Sequence, residues 1–393
     1  MKTKNYNLFT NKNLNKNDLV INLMIKAGFI SKIDSGLYIY LPNGYILLSK
    51  IKKIIRDEMN KINFYEFYIP ILQPDFILKN KINYFNQFIK TNIKNKNYIL
   101  SPTNEEEFIY IFSNIIKSKK KFPIKLFQIN NKFRNEVRNH NILRSYEFIM
   151  KDAYSLHKNY KCLDETYLNV YKSYINILNS LKIKFFITKQ KYDNYINSNF
   201  SHEFYSLSYN NNKNYNLNNN DIEYINFDIN KYNNSFIEIA HIFKIGEKKL
   251  FFKVNENLYI NSYGIGISRI FYTLIEQNII NNKLILPYSI SIFIVSIIII
   301  NFNNLKIYKF SNFLYKKLNE NNIKVLLNNK KCSYGESINN SELLGIPIIL
   351  ILSENNLKKN NIEIKLRIKN EVHIINIKKI LDFIINEIKS NFY

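Results

Sequence analysis

The sequence predicts two architectures in series. Strands, a hairpin and amphipathic helices mix in the first part, and from about residue 286 a small α/β domain with a mostly parallel sheet follows. Three observations lead there. A length of 393 residues suits two or three domains at roughly 100–200 residues each, and an apolar content of 46% is ample for packed cores. The hydrophobic period switches repeatedly between that of a helix and that of a strand. Beyond residue 286 strand and helix patterns alternate, as crossover connections between parallel strands require.

Taken in order, residues 45–62 place Leu47, Leu48, Ile51, Ile54, Ile55 and Met59 on one helical stripe, with the lysines and Asp57 mostly opposite. FYEFYIPILQP (64–74) reads as a strand broken by Pro70 and Pro74, which suits a sheet margin or an interface. Residues 97–117 read as strand, turn and helix. Ser101 or Thr103 is the candidate cap there, and Glu105, Glu106 and Glu107 sit at the positive end of the helix.

KLFQINNKFRNEV (125–137), a polar loop near 138–143 and RSYEFIMKDAYSL (144–156) form a hairpin with charged arms. A helix is expected over 162–182, and the Asn-rich stretch 209–235 reads as a loop. Residues 257–280 give a strand, a glycine turn and an amphipathic helix. SISIFIVSIIII (289–300) falls short of the roughly 20 apolar residues of a membrane span, and its β-branched character fits a strand buried on both faces. A helix (307–320), a strand in IKVLLNN, a helix, a strand in IPIILILS, further strands and a last helix complete the chain.

Asn, Ile, Lys and Tyr dominate the composition, while Gly (8), Pro (7) and Trp (0) are scarce, the signature of A/T-rich codons. The net charge of +25 permits a nucleic-acid partner, yet drift toward Lys codons gives the same charge without one. Cys162 and Cys332 lie far apart, so neither a disulfide framework nor a cysteine-rich zinc site is expected. The first twenty residues carry no apolar core of signal-peptide type, and a soluble, cytoplasmic protein is expected.

The chain has six arginines: Arg56, Arg134, Arg138, Arg144, Arg269 and Arg367. Where drift replaces Arg by Lys wherever Lys suffices, the survivors mark sites that need the planar guanidinium fork. Arg134, Arg138 and Arg144 crowd the hairpin. Its arms could hold a nucleotide, with Arg134 and Arg144 on phosphates, Glu136 accepting from an amino group and Phe148 stacked on a base. An exposed hairpin with ordinary ion pairs, worth ~0–1 kcal/mol each, is the plain alternative.

GIGISR (264–269) brings two glycines to a strand-to-helix junction, where Gly266 lets the backbone approach a ligand, with Arg269 just beyond. Thr103 and Glu105 offer a hydroxyl and a carboxylate to an ammonium-bearing ligand, although, taken by itself, the segment is better explained as a capped helix with an acidic first turn. His202 and His241 are isolated histidines, and neither a Ser–His–Asp order nor an HExxH spacing occurs.

Together these segments resemble the class II aminoacyl-tRNA synthetases, specifically the bacterial-type prolyl enzymes. YIPILQP is similar to motif 1, FRNE with RSYEF to motif 2, and GIGISR to motif 3. AGFISKIDSGLYIYLPNGY (27–45), SPTNEE (101–106), FIMKDAYSLH (148–157), SHEF (201–204) and AHIFKIG (240–246) carry the family-level likeness, in order along nearly the whole chain.

The resemblance implies an α+β catalytic domain built on an antiparallel sheet, residues 1–285, and a C-terminal α/β anticodon-binding domain, residues 286–393. It implies a homodimer formed through motif 1, with ATP, magnesium, proline and tRNA(Pro) as substrates and partners, and neither zinc nor a membrane. Carried over, Arg134 holds the α-phosphate and Arg144 and Arg269 hold the β,γ tail, making Arg134 and Arg269 the catalytic pair. Phe148 and Arg269 enclose the adenine, Glu136 reads its amino group, and Glu238 is a magnesium ligand. Thr103 and Glu105 take the proline imino group, and His241 lines the pocket.

Departures from the family pattern are specific. Only the Asn-rich 209–235 segment stands where many bacterial relatives carry an editing domain, so alanine editing in cis is expected to be absent. Asn104 replaces a usual His, NSNFSHEF lacks a usual glycine pair, and Asn328, Asn329 and Lys330 replace an acidic pair and Arg. A non-catalytic synthetase-like protein remains the alternative from another class, although such relatives tend to lose the motif arginines present here. A threonyl-type enzyme needs a Cys/His/His zinc set that two distant cysteines fit poorly.

Overall fold

The computed structural model describes residues 1–3, 18–78, 88–115, 122–135, 142–190, 200–208, 222–229, 235–248 and 258–390. The chain divides into two compact units, one of residues 1–31, 39–50 and 278–393, the other of residues 32–38 and 51–277. The boundary expected from the sequence lay at 285/286.

α1 (Leu19–Lys26) leads into the hairpin of β1 (Ile30–Asp34) and β2 (Leu37–Tyr40), then into α2 (Pro42–Lys61). The α2 stripe is as expected: Leu47, Leu48, Ile51, Ile55 and Met59 are buried, and Ile54 is half-buried. Near its start, a Cβ on Gly44 would lie 2.1 Å from the Phe29 carbonyl oxygen, so only glycine fits. β3 (Tyr65–Glu66) and β4 (Leu72–Pro74) flank Pro70 as two short pieces, where one interrupted strand was expected. β5 (Lys90–Ile93), β6 (Lys96–Leu100) and α3 (Glu105–Ile115) follow, with β4, β6 and β5 forming a small antiparallel sheet.

The expected hairpin is β7 (Ile124–Phe133) and β8 (Glu147–His157), paired antiparallel from Ile124↔Leu156 to Phe133↔Glu147. Then come α4 (Tyr160–Ser180), β9 (Phe185–Gln190), β10 (Phe200–Leu207), β11 (Ile222–Ile225), β12 (Phe236–Lys248), β13 (Leu258–Gly266) and α5 (Ile267–Gln277). Together they make an eight-stranded sheet in the order β11-β9-β10-β12-β13-β8-β7-β3. Only the edge pair β3–β7 is parallel. β11 corrects the reading of 209–235 as loop throughout: Tyr224 stacks on Phe185 and Ile222 packs beside Phe186 and Phe236, and Ile222, Tyr224 and Ile225 pair with β9 at the sheet edge. Residues 209–221 and 230–234 lie outside the described residues.

In the other unit, β14 (Ile279–Ile280) and β15 (Lys283–Leu284) form a hairpin. β16 (Val295–Ile299), α6 (Leu305–Glu320), β17 (Val325–Asn328), α7 (Tyr334–Leu343) and β18 (Ile348–Leu352) follow, then α8 (Glu354–Lys358), β19 (Asn361–Leu366), β20 (Glu371–Asn376) and α9 (Ile380–Ser390). All five residues of β16 are buried, as the β-branched run predicts, although the strand starts at Val295.

The sheet order is β17-β16-β18-β19-β20, and the expectation of a mostly parallel sheet needs correction. β16 pairs parallel with β17 and β18, but β18–β19 and β19–β20 are antiparallel. The short connections after β18 and β19 cannot make the crossover of about a dozen residues that a parallel neighbour requires. Asn328 and Asn329 are buried, and the Asn328 amide donates to Ser296 Oγ at 2.9 Å, while Lys330 is exposed. Among the described residues no helix is long and apolar enough to cross a membrane.

Candidate active site

Strand alternation builds the site. Phe148, Met150, Asp152 and Tyr154 share one face of β8 and line a cavity of about 370 Å³. Lys151 points to the other face, where its Nζ donates to Tyr174 of α4 at 2.6 Å. In register beside β8, β7 presents Gln128 opposite Asp152 and Lys132 opposite Phe148, and β13 presents Gly264 opposite Asp152 and Gly266 opposite Met150. Both glycines line the cavity, and a Cβ on Gly264 would come 2.4 Å from Met150 Cε.

The predicted residues Arg134, Arg144, Phe148, Glu238, Gly266, Arg269, Thr103, Glu105 and His241 all line this one cavity. Glu136 and Arg138 lie outside the described residues. Arg134 follows β7 directly; its backbone N–H donates to Tyr146 O, its Nη2 reaches Pro102 O at 3.4 Å, and its guanidinium stands 5.3 Å from the centre of the Phe148 ring. Arg144 ends a 3-10 turn, Ile142–Arg144. From α5, Arg269 donates through Nε to Leu143 O (3.2 Å) and through Nη1 to Glu238 O (2.8 Å).

Glu238 carries the site's most shifted carboxyl toward acid. Burial alone would raise it, but the hydrogen bond and charge of His241, then Arg269 and Arg134, hold it down to about 2. His241 Nδ1 lies 3.0 Å from Glu238 Oε1 and 3.8 Å from Glu203 Oε1, and its ring stacks on Phe243 with centroids 3.6 Å apart. Glu203, Glu238 and His241 each offer a ligand atom within 4.8 Å of the others, an arrangement whose oxygens suit a hard cation. Glu203 escaped the sequence reading, which singled out its neighbour. Consecutive strand residues face opposite sides, so His202 instead sits between Tyr167 OH (2.8 Å) and Glu223 Oε2 (2.7 Å).

α3 starts at Glu105, so Asn104 occupies the position before it, and Ser101 Oγ donates to Asn104 Oδ1 (3.1 Å) and Thr103 O (3.3 Å). Asn104 Oδ1 also accepts from Gln128 Nε2 (2.7 Å) and from Lys132 Nζ. Thr103 Oγ1 lies 3.3 Å from Tyr154 OH, and Glu105 is 2% exposed. The sequence reading missed Asp152, Tyr154 and Lys132. The signal for the two charged residues was a charge inside a predicted strand, Lys132 in QINNKF and Asp152 in FIMKDAY.

Comparison with known proteins matches residues 88–278 to the tRNA synthetase class II core domain (G, H, P, S and T) and residues 295–387 to the anticodon binding domain. The proline--tRNA ligase of Wigglesworthia glossinidia brevipalpis is 30% identical, with 94% of this chain and 96% of that protein aligned. That of Rickettsia typhi is 33% identical over 92% of this chain and 94% of its own. The Wigglesworthia alignment spans 538 positions against 393 residues here, so that relative carries well over a hundred positions with no counterpart, whereas the Rickettsia alignment spans 407. With a class II core and an anticodon-binding segment in order, and such identity across nearly the whole of both partners, the chain belongs to the proline--tRNA ligase family.

Proposed function

We propose that this chain activates L-proline with ATP and transfers the prolyl group to tRNA(Pro). The observation that carries the reading is a single cavity holding three of the chain's six arginines together with the Thr103 hydroxyl and the buried Glu105 carboxylate. Guanidinium groups suit phosphate oxygens, and a carboxylate with a hydroxyl suits a secondary ammonium.

In the first step a proline carboxylate oxygen attacks the α-phosphorus, forming the mixed anhydride as the bond to the bridging oxygen breaks and pyrophosphate leaves. Thr103 and Glu105 hold the imino nitrogen, and His241 with its stacked Phe243 forms the wall beside it. Arg134 meets the α-phosphate, where charge grows in the transition state, and Arg144 and Arg269 hold the β,γ tail, so catalysis is positioning plus charge stabilisation. Phe148 stacks on the adenine and Glu136 reads its amino group. A magnesium ion bound with the nucleotide supplies neutralisation of phosphate charge; Glu238, kept anionic by His241, Arg269 and Arg134, would hold it.

In the second step a ribose hydroxyl of the terminal adenosine attacks the acyl carbon and AMP leaves. Residues 1–285 form the catalytic part and 286–393 the anticodon-binding part, in a cytoplasmic homodimer paired through 64–74.

The test is amino-acid-dependent ATP–pyrophosphate exchange across all twenty amino acids. Exchange is expected with proline, weakly with alanine, and with no other. Arg134→Lys keeps the charge but loses the fork, and about 2–4 kcal/mol of transition-state stabilisation should go with it. Exchange with a different amino acid would overturn the pocket assignment, and none at all, even with tRNA present, would favour the non-catalytic alternative.

A further inference from the structure

Beneath the amino-acid side of the cavity lies a buried ion pair that the proposed chemistry leaves unused. Lys132 on β7 is 0% exposed and Asp152 on β8 is 4% exposed, and Lys132 Nζ lies 3.2 Å from Asp152 Oδ1. Charges so placed carry a large desolvation cost, so a pair is kept only where its geometry and its extra hydrogen bonds repay it. Burial draws the Lys132 ammonium below the ordinary lysine range, while Asp152 and then Glu107 oppose that pull.

The bonds run in one direction. Asp152 Oδ2 accepts from Tyr154 OH at 2.8 Å and from Gln128 Nε2 at 3.0 Å. Tyr154 OH in turn accepts from the backbone N–H of Asn104 at 3.0 Å and lies 3.3 Å from Thr103 Oγ1. Lys132 reaches the same turn by a second route, donating to Asn104 Oδ1. From the far side Gln73 Nε2 donates to Thr103 O at 2.9 Å. The turn that carries Thr103 and Glu105 is thus fixed from below by side chains that converge on the ion pair. Of the arginines assigned to phosphates, Arg134 touches the turn at Pro102 O, a long contact of 3.4 Å, and Arg269 is held by Leu143 O and Glu238 O, which share none of these bonds.

We infer that Lys132 and Asp152 are positioning residues for the amino acid, acting through Tyr154 on Thr103 and Glu105, and that they set amino-acid affinity without setting ATP affinity. Asp152 Oδ2 accepts from Tyr154 while Oδ1 faces the Lys132 ammonium, so the route from the ion pair to the turn runs through Tyr154. The inference rests on the proposed function, with Thr103 and Glu105 as the amino-acid contacts.

The experiment measures pyrophosphate exchange with proline and ATP titrated separately, for the wild-type chain, Lys132→Met, Tyr154→Phe and the double variant, with thermal unfolding as the folding control. Tyr154→Phe removes one hydroxyl and leaves the ring and the ion pair in place, so it decides the matter if Lys132→Met does not fold. Each single variant should raise KM for proline about tenfold or more while KM for ATP moves less than about threefold. Because Lys132 acts partly through Tyr154, the double variant should cost less than the product of the two single effects. A folded Tyr154→Phe with an unchanged proline KM, or both KM values rising in step, would overturn the inference. A wild-type chain giving no exchange with any amino acid would overturn the functional reading, and this inference with it.

Discussion

Arg367 donates through Nη1 to Ile346 O at 2.9 Å and through Nη2 to Leu284 O at 2.8 Å, two carbonyls that one ammonium could not serve in the same geometry. Arg269 likewise divides between Leu143 O and Glu238 O and Arg134 stands over a ring, whereas Arg56 shares its Nε–H between both oxygens of Glu66, a contact an ammonium could also make. The premise that arginine survives where its fork or flat face is used was legible in composition alone. Which arginines serve the fold and which serve the cavity was not, because that depends on strand register.

Glu107 illustrates the limit further. Its place in an acidic first turn suggested a charge set against the positive end of the helix, yet it is 4% exposed, and burial pushes its carboxyl up to about 8 against the pull of its own backbone N–H, Lys132 and Asn104. An unfolded glutamate releases its proton near 4.5, so between about pH 4.5 and 8 the unfolded chain loses a proton that the folded one keeps. Stability should therefore fall as pH rises through that window and level off above it. Glu107→Gln does not titrate, so its advantage over the wild type in urea unfolding should grow by a few kcal/mol from pH 5 to pH 8. An advantage equal at both pH values would mean that the folded carboxyl is ionised.

At the scale of elements, a chain with only eight glycines must still end its helices. After α1, α2, α4, α6 and α7 the same paired bonds recur, as in Asn322 N–H to Asn319 O and Ile323 N–H to Leu318 O after α6. The left-handed residue in this motif is Gly28 after α1 and Gly345 after α7, but Asn63, Lys182 and Asn322 after α2, α4 and α6. Asn tolerates that conformation through local hydrogen bonding, which is how an Asn-rich composition still provides the turns. Helix ends were thus hard to read from a glycine-poor sequence, whereas the stripe on α2 and the pairing of β7 with β8 were clear from periodicity. Lys182, at φ 56°, has no such compensation. Lys182→Gly should stabilise the protein by about 1 kcal/mol in denaturant unfolding, the strain relieved outweighing the added freedom of the unfolded chain. A loss of stability would mean that the lysine side chain makes contacts worth more than that strain.

For the whole molecule, the order of the motifs made both folds legible, because each motif has a fixed place in the class II core. The mixed sheet after β18 was not, since a buried apolar strand reads the same whichever way its neighbour runs. Length carries a functional consequence. The Wigglesworthia relative aligns nearly end to end yet spans far more positions than this chain has residues. A pocket that admits proline cannot exclude the smaller alanine by size, and each missing methylene lowers binding by only ~1–3 kcal/mol. Without a second hydrolytic site on the chain, alanyl-tRNA made in error would persist. Purified protein supplied with alanine, ATP and tRNA(Pro) should accumulate a small alanylated fraction, and pre-formed alanyl-tRNA(Pro) should lose alanine no faster with the protein than without it. Rapid deacylation would place an editing site within these 393 residues.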